Sequence, residues 1–222
     1  GYAGPAVKDG KVYVLDRVDE TEDVLRCLSL QTGDELWSFA YETQGKLGQP
    51  GSRTVPAVDD ERIYTCGPLG DVYCLDLSTH RPLWKANGWR DFGGGKMPMW
   101  CIAQNPLLYG DVVIIAAQTP TTGVVAFDRK TGAVRWASPT LPGRPGYVSP
   151  TVVTIDGVDQ IVMISAGSTK PGIFGGGRGG GRPAPPNPPL PRVGEARNDQ
   201  PAEAPVIGVV TGIDPATGAA LW

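Results

Sequence analysis

Four cysteines, a single histidine and an aspartate recurring at a fixed distance from tryptophan are the residues of this 222-residue sequence with the types and spacing for chemistry. Clustered thiols hold zinc or close disulfides. A histidine supplies a base near neutral pH. Aspartates gather calcium or act as general bases. The spacing favours plainer roles. Cys27, Cys66, Cys74 and Cys101 contain no Cys-x-x-Cys pair, and His80 has no second histidine beside it, which argues against a zinc site. Cys27 and Cys74 fall in one repeat column with Ala126 and Gly212, a column that takes small residues, and a free cysteine packs as a small hydrophobe. A bond between Cys66 and Cys74 across the hairpin at 67–72 stays open. No nucleophile–base pair and no phosphate-cradling glycine loop stands out.

The recurrent aspartates belong to a ten-residue phrase. It is fullest as Phe127-Asp128-Arg129-Lys130-Thr131-Gly132-Ala133-Val134-Arg135-Trp136 and returns with Asp214, Thr217, Gly218 and Trp222. A third copy carries Asp76, Thr79 and Trp84, with His80 in the glycine position. A fourth ends on Trp37, with Ser29 in the aspartate position. The aspartate or serine and the threonine can bond the backbone of a turn through their side chains. Glycine supplies a left-handed residue without steric cost, and histidine tolerates it less comfortably. Tryptophan offers a flat apolar surface. These roles are turn and packing chemistry, and such spacing marks a repeat architecture.

Each copy resolves into four short strands. Tight turns at Asp9-Gly10, Asp59-Asp60, Gly110-Asp111 and Asp156-Gly157 precede β-branched strands over 11–15, 62–66, 112–118 and 160–165. Third strands follow over 24–28, 72–76, 124–128 and 209–214, then the phrase turn, then a strand ending on tryptophan. No segment carries a helical period. A lone four-stranded sheet cannot bury both faces, so the copies must stack, and radial stacking gives a propeller. The expected blades run over about 1–41, 52–85, 102–138 and 147–222. A Gly/Pro-rich insertion over 168–205 interrupts the last; its composition cannot build a core, and disorder is expected.

Twenty basic against 23 acidic residues, net charge −3, gives no reason to expect a nucleic-acid partner. No run of about 18 apolar residues is present to span a membrane. The sequence opens inside one repeat and closes on the tryptophan of another, so it reads as a fragment of a longer ring.

In such a meander the first and third turns of every blade share one face, where all are tight. The second turns and the connections between blades share the other, where they are long. Function concentrates on loops held by a rigid scaffold. The segment 85–100 holds Trp89 and Trp100, the two tryptophans outside the repeat phrase, together with Arg90, Phe92 and Lys96. Aromatics and arginine dominate binding energy at interfaces. With Tyr147 they form the candidate partner face, for a protein or a small ligand; the alternative is that they plug the gap between two blades.

The phrase resembles the tryptophan-docking motif of the PQQ-like repeat family, which includes quinoprotein alcohol dehydrogenases and BamB-like assembly lipoproteins. The segments 52–56, 63–70 and 146–150 are similar to secreted PQQ-binding-like β-propeller repeat proteins, often from planctomycetes. The resemblance implies an all-β PQQ-like propeller, with four four-stranded antiparallel blades of an eight-bladed ring, and an extracytoplasmic location. Because the conspicuous aspartates are explained by repeat turns, the expected role is a non-catalytic, BamB-like binding or scaffold protein without a cofactor. The alternatives are a dehydrogenase using PQQ with calcium, and a sensor ectodomain of a larger signalling protein. The adjacent-cysteine pair frequent in the dehydrogenases is absent from this sequence.

Overall fold

The computed structural model describes residues 3–43, 45–47, 51–167 and 208–222. It is all-β apart from one 3-10 turn. The first sheet runs β1 (Ala6–Lys8), β2 (Lys11–Val18), β3 (Glu22–Ser29) and β4 (Glu35–Glu42), in chain order and antiparallel throughout. The second repeats the pattern with β5 (Ala57–Val58), β6 (Arg62–Cys66), β7 (Asp71–Asp76) and β8 (Pro82–Asn87). The third holds β9 (Leu107–Tyr109), β10 (Val112–Ile115), β11 (Thr122–Asp128) and β12 (Val134–Pro139). The fourth holds β13 (Thr151–Ile155), β14 (Val158–Ala166) and β15 (Gly208–Ile213). Its fourth strand is reduced to a bridge between Ile213 and Ala220 and bonds from Gly212 to Leu221 and Trp222. The insertion expected over 168–205 lies outside the described residues.

The phrase closes each third turn in the same way. Asp76 Oδ1 accepts the N–H groups of Ser78 and Thr79 at 2.9 and 2.8 Å, and Asp128 Oδ1 accepts those of Lys130 and Thr131 at 2.9 and 2.8 Å. The fifth residue donates back to the first carbonyl: His80 to Asp76, Gly132 to Asp128, Gly218 to Asp214 and Gly33 to Ser29. That residue is left-handed in every copy, His80 included at φ 59°. First and third turns lie together, because Leu30, Leu77 and Arg129 donate to the carbonyls of Gly10, Glu61 and Asp111. One face of the molecule therefore carries tight turns and the other carries the long connections.

Burial follows from stacking. Ile63 and Leu75 of the second sheet pack with Leu15, Leu25 and Cys27 of the first. Cys74 and Trp84 pack with Val113 and Phe127 of the third. Ala126 and Ile114 pack with Ile161 and Ile213 of the fourth. The cores thus lie between consecutive sheets, as a propeller requires.

One alternative left open closes, and one expectation needs correction. Cys66 pairs with Val72 and Cys74 with Tyr64, so the two thiols do not oppose each other; all four cysteines are free and buried. Cys27, Cys74 and Ala126 face Trp37, Trp84 and Trp136 across the strand pair, which explains why that column takes small residues. The strand expected over 112–118 ends at Ile115, and Gln118 turns into a left-handed conformation at φ 46°.

Candidate functional site

The loop after β8 is fixed at its root by one side chain. Asn87 closes β8, and its Oδ1 accepts the N–H groups of Trp89 and Arg90 at 3.0 and 2.7 Å. Its Nδ2 donates to Asp71 Oδ1 at 2.9 Å. A single 3-10 turn, Arg90–Phe92, then leads to Gly93, left-handed at φ 78°. Within this loop the aromatic residues divide. Trp89 turns inward, buried, with its indole N–H donating to Gly95 O at 3.1 Å and Gly94 pressed against its ring. Phe92 stands edge-on to Phe127 of β11, centroids 5.7 Å apart, and its carbonyl accepts the hydroxyls of Thr119 and Thr121. Both fill the gap between the second and third sheets.

The other residues of the expected partner face remain at the surface. Arg90 is exposed and pairs with Asp91 at 3.1 Å, and Lys96 is exposed. Trp100 is 46% exposed beside Met99 at 66%. The Trp100 N–H donates to the Tyr147 hydroxyl at 3.4 Å, which joins this segment to the one leading into β13, where Val148 is also exposed. The sequence therefore grouped six residues that the fold separates: Trp100 and Tyr147 meet on the loop face, Arg90 and Lys96 sit on the loop's outer side, and Trp89 and Phe92 point into the core.

Polar links join the sheets on the same face. The Val55 N–H donates to Asn105 Oδ1 at 2.8 Å, and the Asn105 N–H to Ser149 Oγ at 2.9 Å. These three residues occupy one repeat position, each directly before a proline. Gln104 and Gln118 form a buried amide pair that continues to Ser165.

One buried ion pair escaped the sequence reading. Arg17, at the end of β2, donates from Nη1 to Asp23 Oδ1 at 2.7 Å. Its Nη2 reaches the carbonyls of Glu20, Thr43 and Gly45, each at 2.9 Å. Burial pushes the Asp23 carboxyl up to about 6, against the pull of Arg17. Two charged residues six apart across a hairpin leave no periodic trace, and the stretch 16–23 is so rich in charge that nothing in the sequence singles out this pair.

The turn-face aspartates are already committed. The hydroxyl of Ser78 and the turn N–H groups hold Asp76 down at about 2. Asp128 spends Oδ1 on its own turn and Oδ2 on Arg135, which keeps it far below the usual carboxylate range. Asp214 is lowered by Thr217. A cleft of about 300 Å³ on this face is lined by Arg62, Asp128, Arg129 and Arg135, whose charges pair with Glu61, Asp59 and each other. Calcium needs several unspent oxygens at about 2.3–2.6 Å; Asp128 and Asp214 have both carboxylate oxygens engaged, and Asp76 keeps only Oδ2 outside its own turn. Among the described residues no group of three or more acids, cysteines or histidines converges.

The model of the family described as outer membrane protein assembly factor BamB matches residues 20–170. Solved structures agree in fold. BamB from Moraxella catarrhalis superposes with a TM-score of 0.55 at 16% identity, over 98% of this chain and 50% of that one. The quinohemoprotein alcohol dehydrogenase of Comamonas testosteroni superposes with a TM-score of 0.56 at 15% identity, over 99% of this chain and 34% of that one. This chain thus spans about half the length of the first and a third of the second. At such identities the likeness is one of fold. A direct comparison with curated protein sequences finds no match.

Proposed function

This chain belongs to the family of the outer membrane protein assembly factor BamB, and we propose that it serves as a non-catalytic binding or scaffold protein. Its partner is a protein that docks on the loop-rich face. The observation that carries the reading is Trp100, 46% exposed and bonded through its backbone to Tyr147, with Met99 more exposed still. An exposed aromatic beside a flexible thioether, held by fixed backbone, is the composition of an interface anchor. Trp89 and Phe92 support this face from beneath rather than touch the partner. On the turn face Arg129 and Arg135 are tied up in ion pairs with Asp59 and Asp128, which leaves them less available to a partner. The family's description as an outer-membrane assembly factor supports an extracytoplasmic location. Among the described residues no helix is long and apolar enough to cross a membrane.

The test places a photo-crosslinking amino acid at position 100 and, as a control on the opposite face, at position 78, in the protein expressed in its own host. A discrete protein adduct from position 100, with none from position 78, is expected. Equal labelling from both faces counts against the loop face. Retention of PQQ with calcium by the purified protein, followed by alcohol-dependent dye reduction, would replace the scaffold reading with a dehydrogenase.

A further inference from the structure

Asp23, the second residue of β3, has no solvent exposure, and its carboxylate is held firmly on one side alone. Oδ1 holds Arg17, but Oδ2 has no hydrogen-bond partner. Three elements close around Oδ2. The Tyr41 hydroxyl comes from β4, buried and without a well-formed hydrogen bond, yet close enough to Asp23 to act on its carboxyl. Gly67, between β6 and β7 of the next sheet, approaches so closely that a Cβ there would fall 2.3 Å from Oδ2 and 3.0 Å from the Tyr41 hydroxyl. The Thr65 hydroxyl, also buried and without a well-formed hydrogen bond, lies within reach of the Tyr41 hydroxyl.

An ionised carboxylate only accepts hydrogen bonds, and in the interior it wants several donors. This one has a single strong donor in Arg17, with the Tyr41 hydroxyl as a weaker one. The Tyr41 hydroxyl stands beside Oδ2 and can donate to the ion or accept from the protonated carboxyl, its pull on the ion being the stronger. The pocket is thus shaped for the neutral acid as well as for the ion. We propose that the Asp23–Tyr41 pair, closed over by Gly67, is a proton-operated latch that sets how firmly Arg17 grips the connection after β4.

The bonds that such a latch would release are specific. Arg17 Nη2 holds the carbonyls of Thr43 and Gly45 in that connection. The Thr43 hydroxyl donates to Asp71 Oδ2 at 2.5 Å, Asp71 Oδ1 accepts Asn87 Nδ2, and Asn87 caps the loop of Trp89. A change at Asp23 therefore travels from the first sheet to the root of the loop on the second. The titratable and charged groups facing the site are Arg17 from β2, Tyr41 from β4, Cys66 from β6 and Asp71 from β7; Cys101 faces Arg17 from the connection leading to β9. Desolvation lifts the carboxyl to about 6 and the Asp71 charge adds to it, while Arg17 and Tyr41 oppose. Three carbonyl oxygens already share the guanidinium charge, which leaves desolvation the larger effect. The latch needs no partner and stands apart from the binding reading.

The experiment uses the whole chain. The Asp23 carboxyl is followed by carbon NMR from about pH 4 to about pH 8, with Asp23→Asn for assignment, alongside amide exchange corrected for its intrinsic pH dependence. A midpoint near 6 is expected. The Thr43 and Gly45 amides, which donate to Thr21 O and Glu20 O, should lose protection below that midpoint by about tenfold, the weight of one charge-assisted hydrogen bond. Asp23→Asn should show the low protection at every pH. Tyr41→Phe removes a hydroxyl that lowers the carboxyl and should move the midpoint upward, which keeps the test decisive where Asp23→Asn fails to fold. A carboxyl titrating in the ordinary range, protection that ignores the titration, or a midpoint unmoved by Tyr41→Phe overturns the latch.

Discussion

Trp84 lies so close on Gly132 of the neighbouring sheet that a Cβ there would fall 2.6 Å from the indole ring. The indole N–H completes the contact by donating to Arg129 O, in the same turn, at 3.0 Å. Trp136 repeats the relationship on Gly218, with its N–H on Pro215 O at 3.0 Å. Trp37 meets His80 instead, and the imidazole lies nearly parallel to the indole with centroids 4.3 Å apart. One turn position thus answers two demands, a left-handed backbone and a flat seat for the preceding sheet's tryptophan. Glycine meets both by having no side chain, and His80 meets the second with its ring.

Those demands set the first prediction. Trp84→Ala removes a buried aromatic and should cost about 3–5 kcal/mol. Gly132→Ala meets both the ring and a φ of 73°, and should cost about 1–3 kcal/mol from strain and overpacking. His80→Gly relieves the backbone while losing the stacking, and should change stability by less than about 1 kcal/mol. Urea unfolding of the three variants orders them. A Gly132→Ala protein as stable as the parent would show that the turn does not seat the indole.

The second prediction concerns acid. Asp76, Asp128 and Asp214 all have lowered carboxyls in the fold. A depressed acid contributes stability above its unfolded value and loses it as pH falls through the folded one. Their share is therefore complete above about pH 4 and drains away toward pH 2, the folded value of Asp76. Asp23 acts with the opposite sign. Its raised carboxyl makes the folded state hold the extra proton, so its share of stability falls as pH rises from about 4 to about 6. Denaturant midpoints across this range should rise from pH 2 to a maximum near 4 and then dip. In Asp23→Asn the dip should vanish while the acid limb stays.

The contrast between these aspartates shows what the sequence could tell. Asp76, Asp128 and Asp214 sit in a phrase with its own turn chemistry, so their roles follow from local spacing. The stacking of tryptophan on turn follows from the same phrase, because every sheet is built alike. Asp23 and Arg17 meet through the end of one hairpin and are enclosed by Gly67 of another sheet, a tertiary relation with no repeat behind it. The partner-face group was half legible for the same reason. Residue type marks Trp89, Phe92 and Trp100 alike as anchors, but only the packing against Phe127 and Gly94 decides which of them point inward. The spacing of Cys66 and Cys74 allows them to face each other across the hairpin, but the register pairs them with Val72 and Tyr64.

The thiols give a third prediction. Burial pushes Cys66 and Cys74 up to about 12 and raises Cys27 and Cys101 in the same direction. The thiolate is the reactive form, so all four should be inert to a disulfide reagent in the folded protein and react together on unfolding. Reducing agent should leave the melting temperature unchanged. Fewer than four thiols titrated in denaturant without reductant would reveal a bridge that the register at Cys66 and Cys74 excludes.

The last prediction separates support from contact on the loop face. Trp89 is buried, its N–H is taken by Gly95, and its ring rests on Gly94. Trp89→Ala opens a cavity between the second and third sheets and should cost about 3–5 kcal/mol. Trp100 has nearly half its surface in water, and Trp100→Ala should shift stability by no more than about 0.5 kcal/mol. The two should also differ in light: Trp89 emission should be blue-shifted and shielded from iodide, and Trp100 quenched. If Trp100 is a partner anchor, Trp100→Ala should abolish the crosslink made from a neighbouring site such as Met99 while the melt stays intact. Equal destabilisation by both substitutions would mean that Trp100 packs as Trp89 does, and the loop face would lose its anchor.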